Sequence, residues 1–419
     1  MVSLIFIMAF ALRVAVIPFL IGNITDPVRN HWEFGWEEGR IARSIASGEG
    51  FSSPLFGNTG PTAWTCPIYP YLVAGMFRIF GIYSTGAAWA VLILNSLFSA
   101  LTCIPVYFIA RRCFGASSGR WAAGIWAFFP YAIYLASSYV WGFCLDTLML
   151  TLVVWITLAM EGESRPSRWA GYGLLWGVAA LTNAVILSTL PFLLAWLAYR
   201  SKTLGTRWLV NSGAALLVLL LTVSPWFIRN YAVFHRFIPF RSTFWMTFWE
   251  GNTGDISDLY PDWTNPAHSP AEMEEFRRLG ELGYARQKKL ASLDFVERHP
   301  GLYLRLSLRR FIFTWTGFWT LRKDYLAGEP FALPNIALTS AITLLLLLAA
   351  WRALLFHHDG VLPLLLVLLS YPVVYYITHP GTEYRHPIDP ICVVFIGYLL
   401  SSGAWRRRQP GVPVTSKFA

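Results

Sequence analysis

The chain is poor in charge, and acids are scarcer than bases. Of its 419 residues, 13% are charged, with 23 Asp and Glu against 33 Lys and Arg. A soluble globular chain is about a quarter charged, so a fold with a fully hydrated surface is excluded. Cysteine is sparse too. Cys66, Cys103, Cys113, Cys144 and Cys392 form no CxxC pair, and no His cluster has zinc spacing. That leaves neither a disulfide framework nor a structural metal site. No internal repeat is visible.

What is plentiful is apolar and aromatic. The chain is 55% hydrophobic, with 20 Trp and 19 Tyr and a mean hydropathy of +0.48. Amphipathic rings settle at membrane–water interfaces, and the composition is that of an all-α polytopic membrane protein. The net charge of +10 does not imply nucleic acid, because the bases sit in short loops between apolar runs. The first run, Leu4 to Ile21, is too long for a signal-peptide core and lacks a small-residue cleavage site. It reads as a retained transmembrane helix.

A crossing helix needs about 20 mostly apolar residues. Ten stretches are expected to cross: 4–22, 85–110, 121–138, 141–160, 169–183, 184–200, 208–228, 331–352, 361–378 and 388–404. With both ends cytoplasmic, the basic or mixed loops at 110–120, 161–168, 199–207, 351–360 and 405–409 all fall on one side, as the positive-inside rule requires. Residues 311–320 are too short to cross and read as interfacial or re-entrant. The chain then divides into a membrane module, 1–228, with a first outer loop at 23–84. An outer-face helical segment, 229–330, and C-terminal membrane helices and tail, 331–419, follow. In the outer segment, "SPAE" marks a helix start: Ser269 caps, Pro270 suits the first turn and Glu272 completes a capping box. A charged helix to about residue 291 follows.

The first outer loop holds "HWEFGWEEGRIARSIASGEGF", residues 31–51. On a helix, Phe34, Glu37, Ile41 and Ser44 or Ile45 share one face. A carboxylate on an apolar face needs a partner or a task, so Glu37 is a catalytic candidate. Glu33 lies one turn earlier, and Glu38 is expected to be a solvated acid near the positive helix start. "SSPLFGNTGPTAWTCPIYPYLVAGMF", 52–77, reads as a loop returning to the interface. Arg13 lies inside the first crossing and is either functional or snorkelling. Asp146, near the outer end of the fourth crossing, either pairs with Arg13 or joins a catalytic site. Arg229, His235, Arg236 and Arg241 are interleaved with Trp245 and Trp249, a composition suited to holding phosphate. Tyr384, Arg385 and His386 form a second phosphate candidate in "THPGTEYRHPIDP", with Asp389 in the same cluster.

Together, the acidic first loop, "GEGF" at 48–51, "TGPTAWTCPIYPYL", "PWFIRNY" and "EYRHPIDP" resemble segments of the GT-C superfamily. The likeness is to membrane glycosyltransferases related to protein O-mannosyltransferases and lipid A aminoarabinose transferases. It implies a GT-C bundle of about ten transmembrane helices with juxtamembrane helices on the outer face of a bacterial inner membrane. It implies a first-loop acid as catalytic base and a polyprenyl-phosphate-linked sugar as donor. The family acid is usually Asp; none stands in 31–51, so Glu takes the role. Alignment on "SGEG" selects Glu33 and the helix face selects Glu37. Asp146 matches a second family acid by position.

The expected chemistry is inverting transfer to a hydroxyl of a lipid, glycan or protein, with Glu37 or Glu33 taking the proton. Arg229, Arg241, Tyr384, Arg385, His386 and Arg13 are the candidates for the phosphate, with no cofactor and no required metal. Membrane lipids are the other expected partners. A transporter or flippase of lipid-linked sugars is the alternative. It would collect its polar groups at the bilayer midplane, whereas here they collect at the outer face.

Overall fold

The computed structural model describes residues 1–25, 31, 33–254, 261–320, 323, 326, 332–358 and 360–401. The basic tail at 405–409 and parts of loops 23–84 and 229–330 lie outside them. The first half of the chain holds α1 (Val2–Leu20), α2 (Gly22–Thr25), α3 (Trp36–Ala46), α4 (Ile68–Phe80), α5 (Thr85–Leu101), α6 (Cys103–Phe114), α7 (Ala116–Ala127), α8 (Pro130–Ser138), α9 (Phe143–Ala159) and α10 (Pro166–Thr182). The second holds α11 (Leu190–Thr203), α12 (Trp208–Phe234), α13 (Phe244–Gly251), α14 (Pro270–Arg298), α15 (Pro300–Thr316), α16 (Ala332–Leu355), α17 (Val361–Ser370), α18 (Val373–Ile377), α19 (Thr382–Arg385) and α20 (Asp389–Leu400). Among the described residues there is no β-strand, only an isolated bridge between Ser52 and Pro61. Nothing but a helix satisfies its own backbone in lipid.

Helical segments occupy every stretch expected to cross. Five are long and apolar enough to do so alone: Val2–Leu20, Thr85–Phe114, Ala184–Thr203, Trp208–Phe234 and Ala332–Leu355. The others are shorter or broken. One expectation is corrected: the second half of 52–77 is not loop but α4, which buries Tyr69, Val73, Ala74 and Phe77. Close packing of α10 on α12 depends on Gly173 and Gly177, where a Cβ would meet the Ala215 carbonyl and the Thr222 side chain. Small residues permit this approach, and dispersion then holds the helices together.

Alternate loops gather at opposite ends. At one end Glu161 accepts from Arg112 Nη2 at 2.7 Å and from Arg200 Nε at 2.5 Å, joining three of the basic loops. At the other, α3, α4, α13 and α14 share an apolar cluster that includes Phe34, Ile41, Trp64, Met246, Met273 and Phe276. Helices α13 and α14 of segment 229–330 therefore pack directly on the first loop. Ser269 Oγ accepts from the Glu272 amide at 3.4 Å, so the cap forms as the sequence predicts. Glu272 does not return the bond; it accepts from Tyr284 Oη at 2.6 Å and pairs with Lys288. The helix continues past residue 291 to Arg298, with a break at Gly280.

Arg13 turns out to be a staple. Pro130 has no N–H, so where α7 gives way to α8 the Trp126 carbonyl lacks its i+4 donor and keeps only the Phe129 amide, at 3.2 Å. Arg13 supplies the replacement, with Nη2 donating to Trp126 O at 3.1 Å and Nη1 to Ala127 O at 3.0 Å. Nη1 also reaches Ala9 O at 3.0 Å, and Nε donates to Ser99 Oγ at 2.9 Å. The fully buried guanidinium is thus committed to protein oxygens, which removes Arg13 from the phosphate candidates and excludes snorkelling. Replacing it by Leu removes these charge-assisted bonds, each worth about 1.5–3 kcal/mol. Arg13→Leu is expected to lower the thermal denaturation midpoint in detergent clearly; an unchanged midpoint would contradict the staple.

Candidate active site

The site is built around the start of α3. Gly35 takes φ +90° at its N-cap, and Gly39 sits against the Phe34 carbonyl where a Cβ would collide. A Cβ on Gly35 would also press on Val140. These two glycines let residues 33–35 fold onto the helix and bring the start of α9 alongside. Phe34, Ile41, Ser44 and Ile45 are buried, as the face rule predicts, and Glu37 is buried with them.

Glu38 is buried as well, against the sequence expectation of a solvated acid. It faces away from the Glu37 stripe, but α9 covers that side. Glu38 Oε2 accepts the Gly142 amide at 3.2 Å, at the N-terminus of α9, where unpaired N–H groups favour an anion. Asp146 follows one turn along α9, with Oδ2 accepting from Asn183 Nδ2 at 2.9 Å. Asn183 stands at the break between α10 and the 3₁₀ turn Ala184–Thr189, where its Oδ1 accepts the Val185 amide at 3.0 Å. Asp146 Oδ1 is buried and has no hydrogen-bond partner among the described residues. Asp146 does not pair with Arg13.

Segment 229–330 and the C-terminal part 331–419 each add one group that sequence reading missed. Glu250, on α13, is buried and accepts from Asn265 Nδ2 at 3.0 Å. Burial first, then repulsion from Glu37, pushes its carboxyl up to about 8. His379 Nε2 lies 3.7 Å from Glu250 Oε2. Burial, then Arg310 and Arg241, hold the imidazole down to about 3, so this is a neutral contact and not an ion pair. The signal for both was thin: one acid in the aromatic run "FWMTFWEGN" and one His before a proline.

The first-loop acids differ in electrostatic setting. Burial raises the Glu37 carboxyl, while Arg40 and His268 oppose the rise. Burial raises Glu38 much further, with the Asp146 charge added to it. Glu33 stands in the turn before α3 and is exposed, outside this buried group.

Of the cations named from sequence, Arg241 alone reaches the acids with its charge unclaimed. Among the described residues it has no hydrogen bond or ion pair. Its charge acts on Glu38, Asp146, Glu250 and His379, and on the α17–α18 ring pair Tyr371 and Tyr375. Tyr384 closes one side, stacked on Tyr375 at 5.1 Å and edge-on to Phe143 at 5.8 Å.

Three other candidates are corrected. Arg229 donates to Thr62 O at 2.6 Å and Phe51 O at 2.8 Å and lies over the Trp226 ring, so it ties α12 to the first loop. Arg385 Nη2 lies 3.1 Å from Asp389 Oδ1, and His386 Nδ1 3.2 Å from Asp389 Oδ2, all three buried. Asp389 opens α20 at i+4 and i+3 from these bases, so the loop neutralises its own charge. The His386 ring stacks on Trp126, within the bundle.

Residues 62–228 match the family model described as dolichyl-phosphate-mannose-protein mannosyltransferase. No curated protein matches by sequence. Among solved structures, the fold is similar to that of the oligosaccharyltransferase of Archaeoglobus fulgidus tethered to an acceptor peptide containing the NVT sequon. The TM-score is 0.57 at 15% identity, over 95% of this chain and 49% of that one. The archaeal oligosaccharyltransferase AglB from the same organism, in complex with an inhibitory peptide and a dolichol-phosphate, gives 0.54 at 13% identity, over 95% and 50%. ArnT from Cupriavidus metallidurans bound to undecaprenyl phosphate superposes more loosely, at 0.42 and 14% identity over 94% and 76%. The chain spans about half the length of the oligosaccharyltransferases it matches. Sequence likeness over 62–228 and fold likeness over nearly the whole chain agree: residues 62–228 are similar to the mannosyltransferase family, and the chain has the fold of these oligosaccharyltransferases.

Proposed function

We propose that the protein moves a sugar from a polyprenyl-phosphate donor to an acceptor hydroxyl on a lipid, glycan or protein, with inversion, at the outer face of a bacterial inner membrane. The observation that carries this reading is the unclaimed Arg241 guanidinium among buried carboxylates at one end of an apolar bundle. That end lies opposite the loops carrying Arg112, Arg165, Arg168 and Arg200, which the positive-inside rule assigns to the cytoplasm. The dolichol-phosphate bound by the archaeal AglB supports a lipid phosphate as the anion.

In this scheme the acceptor oxygen attacks the anomeric carbon from the face opposite the phosphate. Its proton passes to Glu37 as the new C–O bond forms and the bond to the phosphate oxygen breaks. Both electrons of that bond leave with the polyprenyl phosphate. Arg241 stabilises the growing charge through paired donors. Because phosphate leaves as a stable anion, no acid is needed on that side. Glu37 is the better base of the two buried first-loop acids, since Arg40 and His268 help keep it ionised. Glu38 and Asp146 bind and orient. In the same reading the module 1–228 supplies the base, segment 229–330 supplies Arg241 and Glu250, and 331–419 supplies Tyr384.

Glu37→Gln is expected to cut kcat by about 10²–10⁴-fold with the protein still folded, while Glu33→Gln retains activity. A fully active Glu37→Gln would reject the base. Because the Glu37 carboxyl is raised and acts when ionised, kcat/KM should fall as pH drops, beginning above the ordinary range of a glutamate. A profile flat down to pH 4.5 would contradict this.

A further inference from the structure

Among the described residues Arg241 has no side-chain partner to aim it, so its position depends on its backbone, and that backbone is held from outside the site. Ser242 N donates to Ala63 O at 2.8 Å, and Thr243 Oγ1 donates to Trp64 O at 3.1 Å. Both bonds stitch the segment carrying Arg241 to residues 62–64 of the first loop. One carboxylate locks the stitch. Glu281 Oε1 accepts from the Ala63 amide at 2.9 Å and from Ser242 Oγ at 2.6 Å, and Oε2 accepts from Thr62 Oγ1. Thr62 Oγ1 also receives the Trp64 amide at 3.0 Å.

The sequence builds this lock through Gly280. Before it, Met273 and Phe276 face inward; after it, Glu281, Tyr284, Ala285, Lys288 and Ser292 do. An unbroken helix from Phe276 would turn residue 280 inward one turn later. Gly280 takes φ +69° and ψ 169° instead, which advances the inward position by one residue and delivers Glu281 to the loops. Nothing in the reaction scheme uses this buried acid.

We propose that Glu281 is a positioning residue for the donor phosphate: it fastens 62–64 to 241–243 and so sets where the Arg241 guanidinium stands. This rests on the assignment of Arg241 to the phosphate. Pre-organisation of this kind matters because misplacement of a charge-stabilising group by about 1 Å is felt in binding and rate.

The test uses the full-length protein in detergent, titrated with a polyprenyl monophosphate and followed by intrinsic tryptophan fluorescence. Arg241→Ala and Glu281→Ala are each expected to weaken binding about tenfold, and the double variant no further than either alone, since groups acting as a unit are not additive. Glu281→Gln should stay within about threefold of the parent, because its amide oxygen still accepts from Ala63 and Ser242 while the Thr62 hydroxyl turns to accept from its NH₂. Should Glu281→Ala not fold, Ser242→Ala removes one bond of the lock; its expected loss of about threefold should vanish in the Arg241→Ala background. Additive losses alongside a weakened Arg241→Ala overturn the positioning role alone. Parent-like binding by Arg241→Ala overturns the phosphate assignment and this role with it.

Discussion

Charge inside an apolar bundle must be compensated, and that constraint decides where the ionisable groups of this protein sit. Desolvating a guanidinium or carboxylate costs several kcal/mol unless partners are in place. Arg13 meets the constraint with backbone carbonyls at the break between α7 and α8. Arg385 and His386 meet it with Asp389, a turn away on the same stretch, and Arg229 with loop carbonyls. Each is basic, near the membrane and suited in isolation to a phosphate; each is already committed. Arg241 stands apart because the groups its charge reaches are acids and rings that do not bond it.

Those acids are held together by interruptions in helices. Gly35 turns the chain into α3. The start of α9 presents its amide to Glu38. Asn183 breaks the chain between α10 and α11 and braces Asp146. Helix ends carry unpaired backbone groups and positions free of i+4 bonding, so polar side chains collect where several ends meet. The apolar spans fix that meeting point, since alternate connections must return to the same end.

The archaeal oligosaccharyltransferases share this fold in about half of their length. In this chain the described helices α13 and α14 of segment 229–330 share a core with α3 and α4. Glu250 and Arg241 therefore approach the first-loop acids from an element that is remote in sequence. A cluster assembled from such elements owes its chemistry to packing, and in the proposed scheme its geometry to a brace, Glu281, outside the reaction.

The sequence by itself determined the class of the molecule: hydropathy runs and basic loops give the helical spans and their alternation, because an apolar run of about 20 residues in lipid satisfies its own backbone only as a helix. It also determined the α3 stripe with Glu37, the Ser269 cap and the absence of cysteine pairing; all five thiols are free. Each of these depends on residues within a turn or two of one another. Burial of Glu38, recruitment of Glu250 and His379, and the sorting of Arg241 from Arg13, Arg229 and Arg385 were decided only by the tertiary structure. A charge is free or committed according to what packs against it from other helices, and one-dimensional periodicity carries no information about those contacts.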